Sequence, residues 1–171
     1  HALCEAFLNA TALTGTPRID DTNMAIDGGI GYQPRNIYKG KRQSASKVFL
    51  HPVMHRPNLV VLPNTEVMRI VFEGKKAIGI AIRQDGEIKV IKCHKEVIVS
   101  AGAIESPKLL QLSGIGAANR LQQLGVEVIH NAPNVGQNLR EHYYIQHKYR
   151  VRKGSLNAEF QGLRLVWNLL R

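Results

Sequence analysis

A chain of 171 residues, 44% hydrophobic and 21% charged, has the composition of one folded domain rather than of a disordered segment or a disulfide scaffold. The two distant cysteines, Cys4 and Cys93, lack metal-like spacing and suit a reducing compartment, so a cytoplasmic setting is expected over a secreted one. The net charge of +10 is scattered over turns and strand ends without interleaved aromatics, and no apolar run reaches the ~20 residues of a membrane span, so neither a nucleic-acid partner nor a transmembrane segment is expected.

Leu3, Phe7 and Ala10 fall at helical spacing, and Gly15 and Pro17 follow, which predicts an opening helix with a glycine stop. The stretch "TPRIDDTNMAIDGGIGYQPRN" is turn chemistry throughout and reads as an ordered loop. Its "GGIGY" lacks both the spacing and the preceding strand of a phosphate-cradling turn. Ser44 is placed to cap a short helix carrying Val48, Phe49 and Leu50, which Pro52 and Pro57 limit.

From Asn58 the pattern turns to strands. "NLVVLP" is a continuously apolar run of the kind buried on both faces of a parallel sheet. "EVMRIVFE", "KAIGIAIR" and "EIKVIKCH", joined by "GKK" and "QDG", read as a three-stranded antiparallel meander. In its middle strand Ile78, Ile80 and Ile82 alternate with Ala77, Gly79 and Ala81, so one face carries bulk and the other permits close approach.

"EVIVS" is a second apolar strand, and it runs directly into "SAGAIESPKLLQLSGIG". There Ser106 is expected as an N-cap with Pro107 at the first helical position, Leu109, Leu110 and Leu112 as the buried stripe, and Gly114 as the stop. "ANRLQQLG" repeats the device, "VEVIH" reads as a short strand, and "NAPNVGQNLREH" as a loop. "YYIQHKYRV" alternates as a strand, with Ile145, His147, Tyr149 and Val151 on one side. Phe160, Leu163, Val166, Trp167 and Leu170 mark one face of a closing helix. With His1 inside one amphipathic segment and Arg171 inside another, the chain reads as a fragment.

Catalytic candidates are few. His51 and His55 stand four apart, but Pro52 lies between them and no third ligand is near, so no metal is expected. Cys93 and His94 are adjacent on a strand and point to opposite sides. Ser100, Ser106 and Ser113 form no nucleophile elbow, and His142 on its loop suits a structural hydrogen bond better than proton transfer. The Ser-Ala-Gly corner admits two readings: a place where a ligand approaches bare peptide groups, or a tight strand-to-helix turn.

"SAGAIESPKLLQLSGIG" resembles the second signature of the glucose-methanol-choline (GMC) oxidoreductase family, flavoenzymes that oxidise alcohols. The flanks "GKRQSASKVFLHPVMHRPNLVVLPNTEVMRIVFEGKKAIGIAI" and "NAPNVGQNLREH" resemble family segments in the same order. The resemblance, in its choline-dehydrogenase-like form, implies an α/β fold: a partial FAD-binding domain over 1–142, with parallel strands and the meander, then the beginning of a substrate domain over 143–171. It implies an FAD-dependent oxidation of the CH–OH group of a small-molecule alcohol. It places Val67 at the adenine through its backbone, Ser100, Ala101 and Gly102 along the adenosine side, and Ser106 with Pro107 holding the following helix. The family's N-terminal glycine fingerprint and its active-site histidine have no match here, so no catalytic residue is expected in this chain. Two alternatives stay open at this point: a non-catalytic basic α/β binding module using Arg150, Arg152 and Lys153, and another two-dinucleotide-domain flavoprotein.

Overall fold

A computed structural model describes residues 2–24, 27–152, 157 and 160–170. Lys153, the end of the basic run from Arg150, lies outside the described residues. Two compact units emerge, His1–Arg56 with Ile145–Arg171, and Pro57–Tyr144.

In the first unit the predicted opening helix forms as α1, Ala2–Ala12. Its buried residue is Leu8, while Phe7 on the expected stripe is 54% exposed. The loop that follows is ordered by backbone pairing: the Ile19 N–H donates to the Ile30 carbonyl and the Ile30 N–H to the Pro17 carbonyl, both at 2.9 Å. A side-chain network ties this loop to α1, with Arg18 at 3.1 Å and the Tyr32 hydroxyl at 2.9 Å from the two carboxylate oxygens of Glu5. The Tyr32 hydroxyl and then the Arg18 guanidinium hold the Glu5 carboxyl below its usual pKa of 4.5. A lowered folded value makes this contribution present above the unfolded pKa and lost as pH falls from there through the folded one. Tyr32→Phe is expected to return the Glu5 titration toward 4.5, followed by carboxyl NMR, and to weaken the pH dependence of stability in that acidic window; an unmoved titration would show the hydrogen bond to be idle.

A hairpin that local sequence rules miss follows, β1 (Ile37–Tyr38) against β2 (Lys41–Arg42), turning through Lys39 and Gly40 at positive φ. Ser44 then caps as expected, its hydroxyl accepting the Lys47 N–H at 3.2 Å. The helix is short: a π-turn over Ser46–Leu50 and a 3-10 turn over His51–Val53. The closing helix forms as α4, Gly162–Leu169, with its apolar stripe exposed, Leu163 at 88% and Trp167 at 67%. "YYIQHKYRV" forms no strand. Its alternation survives only as the stacking of His147 on Tyr149, ring centroids 6.3 Å apart, because no neighbouring strand among the described residues supplies a ladder.

In the second unit the meander is as the sequence predicts. Strands β3 (Glu66–Glu73), β4 (Lys76–Gln84) and β5 (Glu87–Lys92) pair antiparallel in that order. Asp85 and Gly86, both at positive φ, make the two-residue turn that matches strand twist. Strict alternation fails in β4: Ala81 and Ile82 are both buried, and a register shift lies between Val71 and Phe72 on the partner strand. Gly79 does permit close approach, since a Cβ there would meet the Ile91 carbonyl oxygen and the Lys92 Cα.

Helix α2, Gly102–Leu112, packs on β3. Next come β6 (Ile115–Gly116), α3 (Ala118–Gln123) and β7 (His130–Asn131), with β6 and β7 forming a parallel pair. Helix and strand thus mix, with parallel and antiparallel pairing, as the α/β expectation requires. The strands expected over "NLVVLP" and "EVIVS" do not form, and of "VEVIH" only His130 pairs. Val60 and Ile98 are 77% and 78% exposed; a parallel strand needs a neighbour brought from elsewhere in the chain, and the described residues contain none beside these runs. No described helix is long and apolar enough to cross a membrane.

Candidate functional site

The corner that leads into α2 differs from expectation at its start, with no strand before it. Helix α2 begins at Gly102, with Ala101 as its cap residue and no side-chain cap bond. Ser106 is therefore not the N-cap: it sits in the second turn, half-buried, and Pro107 lies inside the helix. The proline removes one backbone donor, which would have reached the carbonyl of Ala103. Pro107 thus stands five residues past the helix start, an interior position, and not at the first helical position where the cap rule places it.

Before that turn the chain lies open. Ser100, Ala101 and Gly102 are exposed, Gly102 has φ +91, and no heavy atom stands within 4 Å of the place where a Cβ would project. A positive φ there favours glycine, and the absent side chain leaves the peptide groups uncovered. The corner is not packed shut by its own chain. Val67 stands near the start of β3, 39% exposed, paired with Ile82 and followed by a register shift before Arg69. Bulges of this kind re-aim strand backbone.

The structure joins the elements that carry these residues through Ser113, which the sequence analysis weighed only as a nucleophile. Its hydroxyl, at the C-terminal end of α2, donates to the Leu109 carbonyl at 2.6 Å and accepts the Ile70 N–H of β3 at 2.8 Å. Two residues earlier in α2, Gln111 Nε2 donates to the Val135 carbonyl at 3.0 Å, so α2 also holds the "NVGQN" loop.

Two hollows flank the helix. One, ≈ 500 Å³, is bordered by Arg69, Ile70, Phe72, Ser113, Gly114 and Glu127. The other, ≈ 430 Å³, is bordered by Ala103, Ile104, Pro107, Lys108, Gln111 and Gly136. Val67 and the Ser100–Gly102 corner line neither; they lie at open surface. On the far side of the loop, the Glu141 carboxyl accepts the His142 N–H at 2.7 Å, which holds it below its usual value. The His142 ring is almost wholly exposed. Among the described residues no cluster of three His, Cys, Asp or Glu side chains could hold a metal.

A family model described as GMC oxidoreductase matches residues 1–144. Mitochondrial choline dehydrogenase of Homo sapiens is 45% identical over 148 residues, covering 85% of this chain and 25% of that protein. The oxygen-dependent choline dehydrogenase of Sinorhizobium fredii is 42% identical over 148 residues, 85% of this chain and 27% of its own. Among solved structures, pyridoxine 4-oxidase from Mesorbium loti aligns with a TM-score of 0.72 at 30% identity, covering 78% of this chain and 26% of that one. An FAD-dependent oxidoreductase from Chaetomium thermophilum aligns with a TM-score of 0.71 at 32% identity, covering 77% and 23%. The chain spans about a quarter of the length of the curated relatives it matches.

Proposed function

Since the chain belongs to the GMC oxidoreductase family, we propose that it forms the nucleotide-facing middle of an FAD-dependent oxidoreductase acting on the CH–OH group of a choline-like alcohol. The observation that carries this reading is the open corner at Ser100–Gly102, set within the signature run and left without side-chain cover. The residues present fit a dinucleotide: small side chains over exposed peptide groups on one element, an edge strand with backbone to offer on the other, and a net positive charge suited to an anionic pyrophosphate.

When bound, FAD supplies the ring that accepts hydride from the alcohol carbon. The tasks of this chain are then placement and cover. Val67 offers its backbone N–H and C=O to the adenine; Ser100, Ala101 and Gly102 supply the bare peptide surface along the adenosine; Ser106 and Pro107 stiffen the turn behind it. Residues 1–142 belong under this reading to the cofactor half and 143–171 begin the substrate half. The base that takes the hydroxyl proton lies outside this sequence, and His142, facing solvent beside Glu141, is not assigned that role.

The test uses the complete protein. It should purify with a flavin absorbance spectrum that choline bleaches anaerobically. A colourless protein that takes up no FAD would overturn the proposal, and a flavin bleached by NAD(P)H but by no alcohol would reassign it to another class of flavoprotein.

A further inference from the structure

We infer that Ser113 is a positioning residue for the adenine side of the site, fixing the edge of β3 against α2 so that Val67 and the Ser100–Gly102 corner address one nucleotide together. This rests on the function proposed above. Among the described residues strand β3 is an edge of its sheet, with β4 on one side only. The Ile70 N–H reaches out from that edge, and Ser113 Oγ meets it at 2.8 Å in a buried hydrogen bond. Ser113 itself is 6% exposed, so without the hydroxyl the amide would be a buried donor with no partner. The same hydroxyl donates back to the Leu109 carbonyl at 2.6 Å, which turns its lone pairs toward the strand. Among the described residues no other side-chain hydrogen bond joins α2 to β3.

The clamp stands at the far end of both arms that carry the proposed contacts. Val67 is three residues along the strand, roughly 10 Å away. Gly102 is eleven residues up the helix, roughly 16 Å away. Strand and helix are stiff over such lengths, so a slip at Ser113 moves one contact surface relative to the other. A residue that only stabilised the fold would leave the affinity of the folded protein for the nucleotide unchanged.

Two variants of nearly equal shape separate these roles, Ser113→Thr, which keeps the hydroxyl, and Ser113→Val, which lacks it. In the complete protein stripped of flavin, S113V is expected to bind FAD and ADP about tenfold more weakly than S113T. Equal affinities in the two variants would overturn the inference while leaving the proposed function standing. Failure of the unaltered protein to bind FAD would overturn both. Should the variants not fold, amide hydrogen exchange on the unaltered protein decides: ADP is expected to slow exchange at Ile70 and Val67 together, and an Ile70 amide indifferent to saturating ADP would overturn the inference.

Discussion

Alanine at position 114 is expected to destabilise the Pro57–Tyr144 unit by about 4 kcal/mol, more than any surface change in this chain. Two costs combine. Gly114 has φ +87, which an L side chain adopts with strain, and an added Cβ would meet the Glu127 carbonyl oxygen and lie 2.7 Å from Ile129 Cγ1. Strain of that kind costs about 1–3 kcal/mol and overpacking about as much again. The neighbour cannot simply give way, because the Gly114 carbonyl accepts both the Ile129 and the His130 N–H. Gly125 is the control. It ends α3 as Gly114 ends α2, with φ +70, but nothing stands within 4 Å of its Cβ position, so Gly125→Ala carries the strain alone, about 1 kcal/mol. Urea unfolding of the two variants reads the difference in midpoint at constant slope. Equal shifts would show that the contact with residues 127–129 contributes nothing.

The second large effect falls on binding rather than folding. Ala101 is exposed with φ −84, a conformation any residue adopts, so Ala101→Leu is expected to leave the stability of the flavin-free protein within about 0.5 kcal/mol. If the corner holds the adenosine, a leucine projecting from it costs roughly 3 kcal/mol of contact, about a hundredfold in FAD affinity. The measurement is FAD titration of the flavin-free complete protein, read by flavin fluorescence. Unaltered affinity would mean that the nucleotide lies elsewhere.

The parts of the fold legible in the sequence are those that close locally. Asp85-Gly86 names its own turn, so the order and pairing of β3, β4 and β5 follow from residues within a few positions of each other. The helix stops at Gly15, Gly114 and Gly125 were legible for the same reason. What depends on distant partners was not. "NLVVLP" and "EVIVS" carry the composition of buried parallel strands, but composition cannot supply the neighbour whose backbone completes a ladder. The alternation in "YYIQHKYRV" shows which face a sheet would bury without showing that a sheet is there. The β1–β2 hairpin escaped because Lys39 at φ 48 is not a residue that announces a turn.

In the site, family resemblance rather than periodicity drew attention to Val67 and Ser100–Gly102. The helix start was misplaced because a Ser-Pro pair satisfies the cap rule at Ser106 equally well, and only the three-dimensional chain shows α2 beginning at Gly102. Ser113 was invisible as a link because its partner Ile70 is 43 residues away. Its one local signal was a serine at a helix end beside Gly114, where a hydroxyl can turn back to the fourth preceding carbonyl.

The most direct measurement is a structure of the complete protein with FAD bound. The account predicts the adenosine against the Ser100–Gly102 backbone, within about 4 Å of Gly102 Cα, with Val67 beside the adenine. Protein side chains filling that corner, with the nucleotide on another surface, would contradict it.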